Sequence, residues 1–212
     1  MEEEKIFAGK MFDPRSNELR DIKHKAHMAC QKYNSMDEYD PLRLPIIKEF
    51  IGSIGKTYYF QGPIQFNYGC HTFIGENFFA NFSLTVMDDA RIYIGDNVCF
   101  GPNVSLMATN HPLIAKERMG LDEGGHTTMA EYAEEIHIGN NVWIACNAVV
   151  IGGVHIGNNA VIGAGSVVTK DIPDNYLAFG NPCRPVRLIT DTDSKKDLIL
   201  NADLKHFEYN IK

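Results

Sequence analysis

The sequence predicts a mainly β chain wound as a left-handed parallel β-helix, and three features of its second half carry that prediction. An aliphatic residue recurs every six positions at Ile138, Ile144, Val150, Ile156, Ile162 and Val168. Four residues after each sit Val142, Ala148, Val154, Ala160, Ser166 and Ile172, again small or apolar. Three residues after each sit Asn141, Asn147, Gly153, Asn159, Gly165 and Asp171, types that adopt positive φ at least cost. Neither the 3.6 period of a helix nor the 2 period of a lone strand accounts for a phase of six. A short strand, a left-handed turn and another short strand describe one side of a solenoid, and three sides close a triangular coil of about 18 residues.

The same pattern reaches back along the chain. Ile74, Ala80 and Val86 are followed by Ile94, Phe100 and Leu106, with Asn77, Ser83, Asp89, Asn97 and Asn103 at the turn positions. The step from Val86 to Ile94 is eight, so two residues are inserted there, and the step from Leu106 to Ile138 is 32, so a long loop near 107–135 leaves the coil. Parallel strands with left-handed crossovers break the usual right-handed rule, but that rule rests on a helical crossover, which is absent here. A sandwich with Asn- and Gly-rich turns would not keep the phase.

Residues 1–57 read as a helical N-terminal segment. Leu19, Ile22, Ala26, Met28 and Tyr33 alternate with charges, and Ser16 or Asn17 can cap the start of that helix. Pro41 and Pro45 bound a second helix, expected from about Leu44 to Ile54 and ending near Gly55. This segment is expected to cover one open end of the solenoid, which spans 58–188, because an uncapped end exposes strand edges. Residues 189–212 form a polar C-terminal tail, a short helix or a loose end.

Composition narrows the function class. The 212 residues are 44% hydrophobic and 22% charged, with a formal net charge of −7 and no dense Lys/Arg cluster, which argues against nucleic acid or an anionic membrane as partner. No apolar run approaches the roughly 20 residues of a membrane span, and the acidic start is not a signal peptide. Five scattered cysteines without a CxxC pair read as reduced thiols in a cytoplasmic protein. His24, His27 and Cys30 have ligand-like spacing, but no fourth ligand follows usefully, and a charged helix face is the simpler reading.

Several motifs are more specific than the hexapeptide phase. Phe78-Phe79-Ala80-Asn81-Phe82, Asp88-Asp89, Asn110-His111-Pro112 and Ile138-Gly139-Asn140-Asn141-Val142-Trp143-Ile144 stand in order. They are followed by a stretch from Val161 to Pro173 and by Gly180-Asn181-Pro182-Cys183-Arg184, and are preceded by Ala8-Gly9-Lys10-Met11-Phe12. Over roughly residues 5 to 188 the chain resembles the hexapeptide-repeat acetyltransferases, in particular the galactoside and maltose O-acetyltransferases. The resemblance implies acetyl-CoA as co-substrate, a sugar or other small hydroxylated acceptor, and a homotrimer with sites between subunits.

Carried over residue by residue, the resemblance implies His111 as general base, a task suited to a group that titrates near neutrality. Asn81 matches an acceptor-site asparagine, for binding or oxyanion support. Asp89 reads both as a turn residue and as the match to a substrate carboxylate. Asn67 matches a further acceptor contact. The family's N-terminal acceptor-binding aspartate falls near Asp13, though not cleanly on it. For CoA the pattern falls on Cys146, Ala164, Thr169, Lys170, Arg184 and Arg187, the cations facing phosphates; the two arginines also read as a solvated tail. Ala145-Cys146 departs from the family's commoner small polar pair. Trp143, the only tryptophan, reads as a water-excluding wall beside the acetyl group or as plain packing. Glu131-Tyr132-Ala133-Glu134-Glu135 reads as a solvated loop or as a segment that orients His111. Two rivals keep the scaffold: acetylation of a xenobiotic such as an antibiotic, and a zinc carbonic-anhydrase-like site on His137, His155 and a third ligand such as His126.

Overall fold

A computed structural model describes residues 1–121, 124–125 and 127–198. The core is a left-handed solenoid of short parallel strands with three faces. The first face runs Ser53–Ile54, Thr72–Ile74, Ile92–Ile94, Ile136–Ile138, His155–Ile156. The second runs Tyr58–Phe60, Phe78–Ala80, Cys99–Phe100, Trp143–Ile144, Val161–Ile162, then an antiparallel hairpin of Tyr176–Gly180 and Cys183–Leu188. The third runs Ile64–Phe66, Leu84–Met87, Ser105–Met107, Val149–Ile151, Val167–Val168. Ile74, Ile94, Phe100, Leu106, Ile144, Val150 and Ile162 point inward and are 0–5% exposed. The second apolar set, Val142 to Ile172, fills the same interior, with Ser166 turned inward and its hydroxyl donating to the Gly163 carbonyl at 2.5 Å.

The corners explain the phase. Asn77, Ser83, Asn97, Asn103, Asn141, Asn147 and Asn159 all have φ between 56° and 62°, and Gly153 and Gly165 are also positive. Ser83 thus adopts the turn conformation in spite of its type. Asp89 and Asp171 do not adopt it, and both lie on the corner between the third and first faces. On the same corner Gly69 and Gly153, at φ 70° and 81°, keep the left-handed turn. Paired residues lie 20 apart in the early coils (Ile54 with Ile74, Ile74 with Ile94), 18 apart from Ile138 to Ile156 and 16 apart in the last (Ile156 with Ile172).

At the corner between the first and second faces the asparagine amides form a ladder. Nδ2 donates to the next Oδ1 from Asn77 to Asn97, Asn141, Asn159 and Asn175, at 2.8–2.9 Å each. Beside it the backbone N–H groups of Glu76, Asp96, Asn140 and Asn158 donate to the side chains of Asp96, Asn140, Asn158 and Asp174 at 2.7–2.8 Å. Each turn is therefore held by the turn above it.

The N-terminal segment holds α1 (Glu2–Phe7), α2 (Asn17–Ser35, with the Ser16 hydroxyl accepting from the Leu19 N–H) and a short α3 (Ile47–Phe50). The second helix expected to reach Ile54 stops at Phe50, and Ser53–Ile54 is already the first solenoid strand. The backbone is already extended at Ile51, and Gly52 lets the chain close on the next coil, since a Cβ there would stand 2.5 Å from the Cys70 carbonyl. Cys30 faces the core from α2 while His24 and His27 are exposed, so these three do not converge. Among the described residues no helix is long and apolar enough to cross a membrane.

The asparagine ladder gives a stability prediction. Asn141→Ala removes both the low-cost left-handed backbone and two ladder bonds, and should destabilise by about 2–4 kcal/mol. Asn141→Gly keeps the backbone freedom and should lose about 1–2 kcal/mol. Chemical unfolding midpoints of the two variants check this; equal losses would show that only one of the two effects operates.

Candidate active site

The chain leaves the third face after Met107 and returns at Ile136. The base of this loop is zipped by Thr109–Asn110 pairing antiparallel with Tyr132–Ala133, and its outer part by Met119–Leu121 with Thr127–Met129. His111 stands directly above the zipped base. Arg118 donates to the carbonyls of Pro112 at 2.9 Å and Leu113 at 3.2 Å, which fixes the chain just after it.

The imidazole of His111 has one ring nitrogen engaged and one open. Nδ1 lies 3.0 Å from the Ala130 carbonyl, an acceptor only, so Nδ1 carries the proton. Nε2 is left with its lone pair, 3.9 Å from Glu131 Oε1, too far for a hydrogen bond. The acidic stretch therefore does reach His111, but the backbone of Ala130 orients the ring. Glu131 is itself held by the N-terminal segment: Phe12 N–H donates to the Glu131 carbonyl at 2.9 Å, and Glu131 N–H returns the bond at 3.3 Å. Burial pushes the Glu131 carboxyl up, Asp89 adds to this, and His111 and Lys23 oppose it.

Asp89 and Asn67 meet on the same corner. Asp89 Oδ2 accepts from Asn67 Nδ2 at 3.1 Å and from the Thr109 hydroxyl. Asp89 is fully buried, so in this structure its carboxylate ties the His111 loop to the coil. Its other oxygen, Oδ1, and the Tyr68 hydroxyl are buried without a hydrogen bond. Burial and then Asp89 hold the Tyr68 phenol far above its ordinary value. Lys23 Nζ lies 5.4 Å from the Tyr68 ring centre and donates to the Pro14 carbonyl at 2.7 Å. Asp13 is exposed and accepts from Arg15 N–H at 2.9 Å; it borders a cleft with Phe12 and Ala130. Tyr68, Lys23 and the Ala130 carbonyl went unread in the sequence because each is brought in from a separate segment.

A second cluster lies on the outer side of the second face. Asn81, Trp143, Cys146 and Ala164 line one groove of about 580 Å³, with Phe79, Pro102 and Leu177 among its other walls. Trp143 is half exposed. Asn81 Oδ1 accepts the Phe82 N–H at 2.8 Å, so the amide's donor side is Nδ2. Gly101 lets the coils close behind this groove, since its Cβ would stand 2.7 Å from the Cys146 nitrogen. Thr169 and Lys170 follow the last third-face strand, and Lys170 is exposed. Arg184 is exposed on the hairpin, whereas Arg187 is engaged by Asp193 through two bonds of 2.6 and 2.8 Å.

The two clusters stand apart. Asn81 sits where the chain enters the third face and His111 where it leaves, a strand's length of about 12 Å. The groove that Asn81 lines does not include His111.

His137 and His155 stack at 4.5 Å and 5° on the outer first face, continuing a column of Phe73 and Tyr93. His137 bonds Glu135 at 3.0 Å. The described residues offer no third ligand to this pair, and His126 lies outside them. The carbonic-anhydrase-like reading finds no support in this geometry.

Comparison with known proteins agrees with the layout. Residues 135–170 match the family model for bacterial transferase hexapeptide repeats, and residues 5–55 match the maltose acetyltransferase hexapeptide capping motif. The galactoside O-acetyltransferase of Escherichia coli K12 is 41% identical over 191 residues, 90% of each chain. A galactoside acetyltransferase solved in complex with coenzyme A superposes with a TM-score of 0.83 at 41% identity, covering 91% of this chain and 93% of that one. A maltose O-acetyltransferase from Clostridium difficile superposes equally well, at 0.83 and 38% identity, with 90% and 98% covered.

The His111 geometry is open to direct measurement. Nitrogen-15 NMR of the histidine rings should find neutral His111 as the Nδ1–H tautomer, with Nε2 unprotonated. A dominant Nε2–H tautomer would remove Nε2 as a proton acceptor.

Proposed function

The chain belongs to the hexapeptide-repeat acetyltransferases, in their galactoside and maltose O-acetyltransferase group, and from that premise we propose that it moves the acetyl group of acetyl-CoA to a hydroxyl of a sugar or glycoside, with His111 as general base. It is an acetyl-CoA-dependent O-acetyltransferase. The observation that carries the mechanism is the His111 ring, whose Nδ1–H is given to the Ala130 carbonyl so that Nε2 faces outward as an acceptor.

The step reads as follows. Nε2 of His111 takes the proton of the acceptor hydroxyl as its oxygen attacks the thioester carbonyl. The tetrahedral oxyanion is met by Asn81 Nδ2–H. Collapse breaks the carbon–sulfur bond, and the imidazolium returns the proton to the CoA thiolate. The acceptor lies along the corner of Asp13, Lys23, Tyr68 and Glu131, with Asp89 and Asn67 behind it. Asp89 acts from its buried position by holding the Thr109–His111 strand.

CoA lies in the groove of Trp143, Cys146 and Ala164, its phosphates toward Thr169, Lys170 and Arg184, with Arg187 joining once released from Asp193. Backbone groups at Cys146 and Ala164 suit the pantetheine amides, and Trp143 excludes water from the thioester. Because His111 and Asn81 sit at opposite edges of one face, a complete site takes His111 from one subunit and Asn81 with the CoA groove from the next. A cyclic homotrimer satisfies this head-to-tail contact. The setting is cytoplasmic, in keeping with five free thiols.

His111→Ala should lower acetyl transfer at least about 100-fold with assembly unchanged, read by thiol release against glucosides, galactosides, maltose and chloramphenicol. Retained activity with the best acceptor would overturn the mechanism, and chloramphenicol as best acceptor would overturn the sugar. Mixing His111→Ala with Asn81→Ala subunits should restore activity at about a quarter of the sites. No restoration would place both residues in one chain's site.

A further inference from the structure

We propose that Glu3, Cys70 and His71 form a zinc-type divalent cation site that clamps α1 onto the solenoid. A nitrogen of His71, the sulfur of Cys70 and an oxygen of Glu3 all lie within 4.8 Å of one another, and among the described residues no other group of three potential ligands does so. Glu3 comes from the first turn of α1, and the other two from the bend before the strand Thr72–Ile74. The site is separate from His111 and from the CoA groove.

The imidazole is pre-set as a ligand. His71 Nδ1 donates to the carbonyls of Asp88 at 2.9 Å and Asp89 at 3.1 Å, the outer contact that metal-binding histidines commonly make. That contact directs Nε2 at Glu3, 3.0 Å away. The ring is stacked on Tyr68 at 4.8 Å and met edge-on by Phe7 at 5.0 Å, and is 3% exposed, so it cannot rotate freely. Glu3 and Cys70 are half-buried, which leaves an entry path.

Distance and charge both suit the cation. Zinc bonds of about 2.0–2.2 Å to nitrogen and oxygen put those two atoms about 3.4 Å apart in a tetrahedron, a few tenths wider than the ion pair found here. A turn of the Cys70 side chain brings sulfur to the third vertex, and water takes the fourth. One nitrogen, one sulfur and one carboxylate oxygen are a donor set that favours zinc over magnesium or calcium. The cation displaces the proton shared by Nε2 and Glu3 and the thiol proton, so thiolate and carboxylate together balance its two charges.

The test uses the full chain freed of metal by a chelator and titrated with Zn²⁺ or Co²⁺. One equivalent per subunit should bind, Co²⁺ should give a sulfur-to-metal charge-transfer band, and Zn²⁺ should raise the unfolding temperature. Cys70→Ser should abolish the band and weaken binding at least about ten-fold, and Glu3→Gln, on the partly exposed first turn, should weaken binding with the fold intact. No uptake by the wild type, or wild-type affinity in both variants, would show that the three residues are only an ion pair beside a thiol.

Discussion

The structure depends on one repeated constraint: every few residues the backbone must turn through positive φ, and the turn must stack on its neighbour. Asparagine meets both demands. It tolerates the left-handed region, and its amide both donates and accepts along the solenoid axis. The ladder from Asn77 to Asn175 therefore couples coils that lie far apart in sequence, including the pair Asn97 and Asn141 on either side of the long loop. That coupling keeps the register when 44 residues rather than 18 or 20 separate Ile94 from Ile138.

The same constraint says where a site can be built. The corner between the third and first faces drops the left-handed turn at Asp89 and Asp171 but keeps it at Gly69 and Gly153, and His111 departs from that corner. Residues that stop being turn residues become available for other bonds. Asp89 accepts from Asn67 and Thr109, and Asp88 accepts from the Tyr68 N–H at 2.8 Å and the Thr72 hydroxyl at 2.8 Å. Burial raises the Asp88 carboxyl to about 6, against these hydrogen bonds, while His71, disfavoured by burial, is carried up to about 9 by Cys70 and Glu3. A compact buried charge system thus lies beneath the base of the His111 loop, with the cation of His71 offsetting the acids.

Sequence reading reached most of the fold because the phase of six is a local property, visible residue by residue. It missed the first strand because Ile46, Ile47, Phe50, Ile51 and Ile54 also fit an amphipathic helix; only the closeness of Gly52 to Cys70, 18 residues on, decides for strand. A candidate site was legible where a motif marks it, as at His111 and Asn81. It was illegible where a backbone atom or a distant side chain supplies the contact. No composition shows that Ala130 will offer its carbonyl, since any residue could. Asp89 shows the reverse: its type and match suggest a substrate contact, while the structure shows it fully buried and bonded to Asn67 and Thr109.

The N-terminal segment and the His111 loop explain one another. Phe12 pairs with Glu131, so the strand that offers the Ala130 carbonyl is held on one side by the loop base and on the other by the cap. α1 continues this support, since Glu3 bonds His71 and Glu2 accepts the Asp13 N–H at 2.9 Å. A solenoid needs a cap to cover its open edge, but any apolar helix could do that. This cap does more: it fixes the acceptor that sets the proton on His111. Losing the cap would therefore free the His111 ring to rotate even if every coil stayed folded, which ties the segment to the orientation of His111 as well as to the cover of the core.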